Sequence, residues 1–163
     1  MVSAAPVVSG ESFQVGSSRA EIWQDAVDEC SVQIGTTSGH LGFIYTTDLH
    51  GENMSAIVER LKAQTKVRHW VGATGIGVLR NGHEDYECPA INVMVGAFPE
   101  NSFQVFSDAQ GDLENINRDH RPWFESNVQT FAVVHANPES AEVPRLIPAL
   151  SDALQGGYLV GAL

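Results

Sequence analysis

Hydroxyls, a carboxylate, an amide and an imidazole recur in this chain at the ends of apolar runs, beside glycine. Thr46-Thr47-Asp48 closes one such run, Ala73-Thr74-Gly75-Ile76-Gly77 a second, His135-Ala136-Asn137 a third, and Gly161-Ala162 a fourth. Glycine leaves the main chain open to close approach, so backbone N–H groups there can meet a ligand without a side chain intervening. Grouped together, Thr46, Thr47, Asp48, Ala73, Thr74, Gly75, Gly77, His135, Asn137 and Gly161 would hold a small polar molecule such as a carboxylate.

Other chemistries fit the residues less well. Gly72, Gly75 and Gly77 give G-x-x-G-x-G rather than the dinucleotide fingerprint, and no Gly-Lys-Ser/Thr ending makes a phosphate loop. There is no G-x-S-x-G, H-E-x-x-H or C-x-x-C. Thr74 or Cys88 as a nucleophile therefore stands last among the readings, since no base is placed by spacing. His83 and Cys88 lack further metal ligands at motif spacing, and the six histidines are scattered. No cofactor is expected, with haem on one of those histidines as the alternative. Cys30 and Cys88 allow at most one disulfide, and both are expected as buried free thiols.

With 20 acidic against 9 basic residues and a net charge of −11, the exterior repels phosphate backbones, so no nucleic-acid partner is expected. No apolar run approaches the roughly 20 residues of a membrane span, and the Val/Ala-rich opening lacks a basic n-region. The expectation is a cytoplasmic protein without membrane insertion.

The candidate residues need elements to position them. After a loose lead-in over residues 1–11, Ser12-Phe13-Gln14-Val15 reads as a short strand. A helix over 18–34 follows, with Ser18 and Glu21 as a capping box and Trp23, Ala26, Val27, Cys30 and Ile34 on one face. Leu41 to Thr47 reads as a strand covered on both faces, Gly51 to Ala63 as a helix with Met54, Ile57, Val58 and Leu61 inward, and the glycine stretch from His69 as a second strand. This is a βαβ unit with parallel strands. Asn81-Gly82 signals a turn before an acidic segment, His83 to Glu87. Ile91 to Phe98 and Ser102 to Phe106 read as an antiparallel pair about Pro99-Glu100-Asn101. Ser107 to Asn127 is polar and holds a weak helix interrupted by Pro122, or a flap over the site. Strand 130–136, a helix from near Pro144 and strand 158–163 then form a second βαβ unit.

The two units echo each other in letters. At an offset of 89, Val160-Gly161-Ala162 falls on Val71-Gly72-Ala73 and, without a gap, 132–136 falls on 43–47. Val143, Leu146, Ile147 and Leu150 likewise fall on Met54, Ile57, Val58 and Leu61. Ser102-Phe103-Gln104-Val105 repeats Ser12-Phe13-Gln14-Val15 at offset 90. The expected fold class is α/β, a mixed sheet from two repeated βαβ-containing units, repeat 1 over about 12–100 and a partial repeat 2 over about 102–163, with an antiparallel hairpin between them. The second copy stops opposite Thr74, which this reading takes as C-terminal truncation.

Five stretches together resemble a known family: Ser18-Arg19-Ala20-Glu21-Ile22-Trp23-Gln24-Asp25-Ala26, Gly42-Phe43-Ile44-Tyr45-Thr46-Thr47, a helix, Trp70-Val71-Gly72-Ala73-Thr74-Gly75-Ile76-Gly77-Val78-Leu79, and Cys88-Pro89-Ala90-Ile91-Asn92-Val93-Met94-Val95-Gly96-Ala97-Phe98. The order resembles the N-terminal domain of FIST (F-box and intracellular signal transduction) proteins, from about Phe13 onward. The resemblance implies a sensory input module for a small ligand, with amino acids or their derivatives proposed, coupled to an output such as a chemoreceptor or histidine kinase. It also implies haem binding and a nitric-oxide response in some members. It assigns haem to no particular histidine here.

Overall fold

The Leu41–Thr47 run is rich in β-branched and aromatic residues and forms a central strand, flanked in sequence by helices whose apolar residues recur every three or four positions. The computed structural model describes residues 13–35, 37, 39–80, 82–99, 101–106, 121–126, 131–154 and 157–162, which fall in two compact units, Met1–Phe98 and Pro99–Leu163.

The first unit runs β1 (Phe13–Ser18), α1 (Trp23–Ile34), β2 (Leu41–Thr47), a 3₁₀ turn (Asp48–Asn53), α2 (Met54–Thr65), β3 (His69–Gly75), β4 (Gly77–Arg80), β5 (His83–Tyr86) and β6 (Ile91–Gly96). Four strands make a mixed sheet in the order β1-β6-β2-β3. β2 and β3 are parallel, while β6 runs antiparallel to both β1 and β2. Strand alternation sends Ile44, Ile91, Val93 and Val95 to one face, where Ala26, Val27, Cys30 and Ile34 of α1 and Ile57 and Leu61 of α2 meet them. Each wholly buried Ile or Leu here contributes about 1.5–3 kcal/mol.

Several expectations change at the helix ends. The first helix begins at Trp23, and its N-cap, Ile22, makes no side-chain cap. Ser18 instead ends β1. Its Oγ donates to Glu29 Oε2 at 2.5 Å and accepts the Ala20 N–H at 3.0 Å, so the hydroxyl already serves the joint between strand and helix. The second helix is preceded by the 3₁₀ turn and extends to Thr65, where Lys66, at φ 64°, closes it with its N–H on the Lys62 carbonyl.

α1 and α2 are tied by Asp28. Arg60 donates to both its oxygens, at 2.8 and 2.7 Å, and Gln64 Nε2 donates at 2.6 Å. The hydrogen bond from Arg60, then that from Gln64, hold the carboxyl down at about 2 from an ordinary 3.8. A carboxyl lowered in the folded state stabilises fully above its unfolded value and loses that contribution as pH falls through the folded one. The tie is therefore complete above about pH 4 and lost on the way down to about pH 2. In urea unfolding, the native protein is expected to exceed Asp28→Asn in stability at about pH 5, and the gap to close towards about pH 2.

The antiparallel partner of β6 is also a correction. Residues 103–106 form no strand; β1, more than seventy residues earlier in sequence, occupies the edge of β6 facing away from β2. β4 and β5 pair as an antiparallel hairpin, with Gly82 at φ 77°, so the acidic segment from His83 is a strand through Tyr86 and not only a connection.

The second unit holds α3 (Arg121–Ser126), β7 (Phe131–His135), α4 (Val143–Ala153) and β8 (Tyr158–Ala162). Pro122 lies within α3, near its start, and Trp123 Nε1 donates to the Asn101 carbonyl at 3.0 Å. The remainder of the Ser107 to Asn127 reading, flap or helix, lies outside the described residues. β7 and β8 are parallel, and α4 begins with a proline in its first turn and buries Val143 and Leu146.

Each unit thus contains a strand, a helix and a parallel strand. Gly72 pairs with Ile44 and Gly161 with Val134. A Cβ on Gly72 would lie 2.7 Å from the Ile44 carbonyl carbon and closer still to its oxygen; one on Gly161 meets Val134 in the same way, at 2.7 Å. Matching the glycines therefore puts Val134, not Val133, on Ile44. This pairing differs by one residue from the gapless offset of 89, which lays Val133 on Ile44.

Among the described residues no helix is long and apolar enough to cross a membrane.

Candidate functional site

Parallel pairing of β2 with β3 sets Thr46 opposite Thr74 and Thr47 opposite Gly75, so seven of the candidate residues converge at one end of this pair. The chain leaves β2 through Asp48 into the 3₁₀ turn and leaves β3 through Ile76 into β4 at Gly77. Asp48, Thr74 and Gly75 are exposed, Ala73 and Gly77 half-buried, and Thr46 and Thr47 buried. Gly51 of the 3₁₀ turn packs over Thr74, where a Cβ would come within 3.0 Å of the threonine methyl.

The two buried threonines differ in what their hydroxyls do. Thr47 Oγ1 accepts the Ala90 N–H at 3.0 Å, and its own N–H donates to the Ala90 carbonyl at 3.0 Å, fixing the entry to β6. Thr46 Oγ1 is wholly enclosed and has no hydrogen-bond partner among the described residues. Leaving such a group unpaired costs about 1–3 kcal/mol. Thr46 stands in one cross-strand row with Thr74, at the rim of the open end.

The other three candidates belong to the second unit. His135 ends β7 opposite Ala162, half-buried, and burial lowers its pKa below the ordinary 6.5, which favours the neutral imidazole. Asn137 is exposed. Its Oδ1 accepts the Glu139 N–H at 3.0 Å, an Asx turn that starts the loop to α4. Gly161 lies on β8 next to Ala162. The ten residues thus form two groups, one in each unit.

Asn92 went unremarked in the sequence as anything but part of a strand. It lies on β6 between Ser17 of β1 and Tyr45 of β2, on the sheet face opposite α1 and α2. Only 6% of it is exposed, and neither amide atom has a hydrogen-bond partner among the described residues. It lines a cleft of about 580 Å³ between that face and the β4–β5 hairpin, with Val15, Tyr45, Leu79, Arg80, His83 and Met94. The available signal was a single amide inside the apolar run Ile91-Asn92-Val93-Met94-Val95.

The hairpin is anchored by a buried carboxylate. Asp85, 1% exposed, pairs with Arg19 from the β1–α1 connection and lies 3.5 Å from Arg80 Nε.

Cys30 is a free, buried thiol whose Sγ donates to the Ile91 carbonyl at 3.7 Å; burial, then the neighbouring Glu29 charge, pushes its pKa up to about 12, which makes it a poor nucleophile. Cys88 is free as well, but half-buried rather than buried, because it sits on the connection into β6. Among the described residues no three His, Cys, Asp or Glu side chains are grouped to hold a metal ion. Of the histidines, the buried His50 holds the Ala20 carbonyl through Nε2 at 3.1 Å, and His83, on the cleft, is exposed on the hairpin beside Glu84. No step is assigned to haem. No protein-family model matches the chain, and no curated protein matches its sequence.

Proposed function

We propose that this chain is a non-catalytic sensory input domain of the FIST N-terminal type, binding a small carboxylate such as an amino acid where β2 and β3 end. The observation that carries this reading is the convergence, at one end of the β2–β3 pair, of the exposed Thr74 and Asp48 with the exposed main chain of Gly75. In this account Thr74, with main-chain N–H groups around Gly75 and Gly77, holds the carboxylate, and the exposed Asp48 carboxylate receives a ligand ammonium. His135, Asn137 and Gly161 of the second unit serve a ligand in the same manner, and we propose that the two βαβ units descend from one doubled ancestor. The matched placement of Gly72 and Gly161 supports that descent. Sensing needs only a ligand with different affinities for two conformations, read by a signalling output such as a chemoreceptor or histidine kinase in the cytoplasm.

The test is a thermal-shift screen against amino acids and small carboxylates, with haem as the rival. Binding at saturating concentration raises the melting temperature. Thr46→Val removes the orphaned hydroxyl at nearly constant shape. It is expected to leave stability equal or higher by about 1 kcal/mol and ligand affinity unchanged, because the hydroxyl is wholly enclosed, so that Thr74 rather than Thr46 is the residue that contacts the ligand. A Soret band lost in one His→Ala variant would favour the haem sensor, and a mass increase on Thr74 or Cys88 with an acyl probe would favour an enzyme.

A further inference from the structure

We infer that the cleft between the β4–β5 hairpin and the open face of the sheet is a second binding site, for a small neutral heterocycle carrying a lactam or imide edge. This goes beyond the strand-end site and does not depend on it. Asn92 is the anchor. Its neighbours in sequence, Ile91 and Val93, face the core, so the Asn92 side chain is turned to the other face, where the cleft lies. There it holds an amide that is more than nine-tenths buried, with both donor and acceptor unpaired among the described residues. Buried polar groups are nearly always paired, so a wholly unpaired amide on a cleft marks the place of an absent partner.

The chemistry of that partner follows from the lining. An asparagine amide presents N–H and C=O side by side in one plane, and its complement is a planar edge with C=O beside N–H; asparagine reads adenine by the same bidentate logic. This holds whichever way the amide is turned. The charge on the walls argues against an anion, because Arg80 is drawn to Asp85 and Glu84 also lines the cleft. Val15, Leu79 and Met94 supply apolar walls and the Tyr45 ring a flat one, suited to a ring rather than to a charged chain. At about 580 Å³ the space is within the range of small-molecule sites.

Uracil, which has three such edges, and 1,3-dimethyluracil, in which both ring N–H groups are blocked, are the probes. Millimolar uracil is expected to raise the melting temperature of the native chain and to shift amide resonances of β4, β5 and β6, while the dimethyl compound binds about tenfold more weakly or less. Asn92→Leu, with the same number and branching of side-chain heavy atoms, is expected to abolish the uracil response yet melt at the same temperature or higher, because an unpaired buried amide has been removed. Equal responses to the two pyrimidines, or none to uracil, would overturn the proposal. So would a clear drop in melting temperature, or failure to fold, in Asn92→Leu, since the amide would then be structural and satisfied by internal water. Thr74→Val leaves the uracil response intact, so failure of the strand-end site and of this one are told apart.

Discussion

Replacing Gly72 by alanine is expected to destabilise the first unit by roughly 3 kcal/mol or more, seen as a fall in the urea midpoint without a change in slope. The new methyl lands on the Ile44 carbonyl, which is backbone, so no rotamer change can relieve it. β2 and β3 must part at the Ile44–Gly72 pair, two residues from the Thr46–Thr74 pair, and the strand-end site is distorted with them. Gly161→Ala should do the same to β7 and β8 through Val134. Gly82→Ala is the control. There a methyl meets open space and only the left-handed φ of 77° is penalised, about 1 kcal/mol. If Gly72→Ala costs no more than Gly82→Ala, the close approach of the strands at the Ile44–Gly72 pair is wrong.

The second large effect is at Arg19. Arg19→Ala leaves the Asp85 carboxylate, 1% exposed, with Arg80 at 3.5 Å as its remaining ion-pair partner among the described residues. Stranding a buried charge costs about 3–5 kcal/mol in general, but Arg19 is itself 57% exposed and its pairing partly screened, so about 2 kcal/mol is expected. The double variant Arg19→Ala, Asp85→Leu should recover part of that loss, because the charge needing a partner has gone. A double variant less stable than either single one would mean that the hairpin is held by something other than this pair. Urea unfolding of the four proteins, combined as a double-mutant cycle, gives the coupling.

What could be read in advance was set by local pattern. Leu41–Thr47 declares itself by its apolar run, α2 by the spacing of Ile57 and Leu61, and the parallel pairing of β2 with β3 by the helix that joins them. Those three readings bring Thr46, Thr47, Asp48, Thr74 and Gly75 to one place. What stayed hidden depended on partners remote in sequence. The edge of β6 could have taken the segment after Asn101 or the one before Arg19, and nothing local chooses β1. β5 lacks apolar alternation because its inward residue, Asp85, is an acid neutralised by an arginine 66 positions away, so the segment reads as solvated. Ser18 has the right neighbour for a capping box, but Glu29, reached only once α1 folds, takes its hydroxyl. Asn92 and Thr46 are ordinary letters within strands; that their polar atoms lack partners among the described residues is a property of three-dimensional enclosure alone.

The central claim, a ligand held by Thr74 where β2 and β3 end, is tested most directly by isothermal titration of the best-binding amino acid or small carboxylate into the native chain and into Thr74→Val. Loss of one hydrogen bond to a charged group predicts an affinity about tenfold weaker, with folding unchanged because Thr74 is exposed. Equal affinities in the two proteins would contradict it and move the ligand elsewhere.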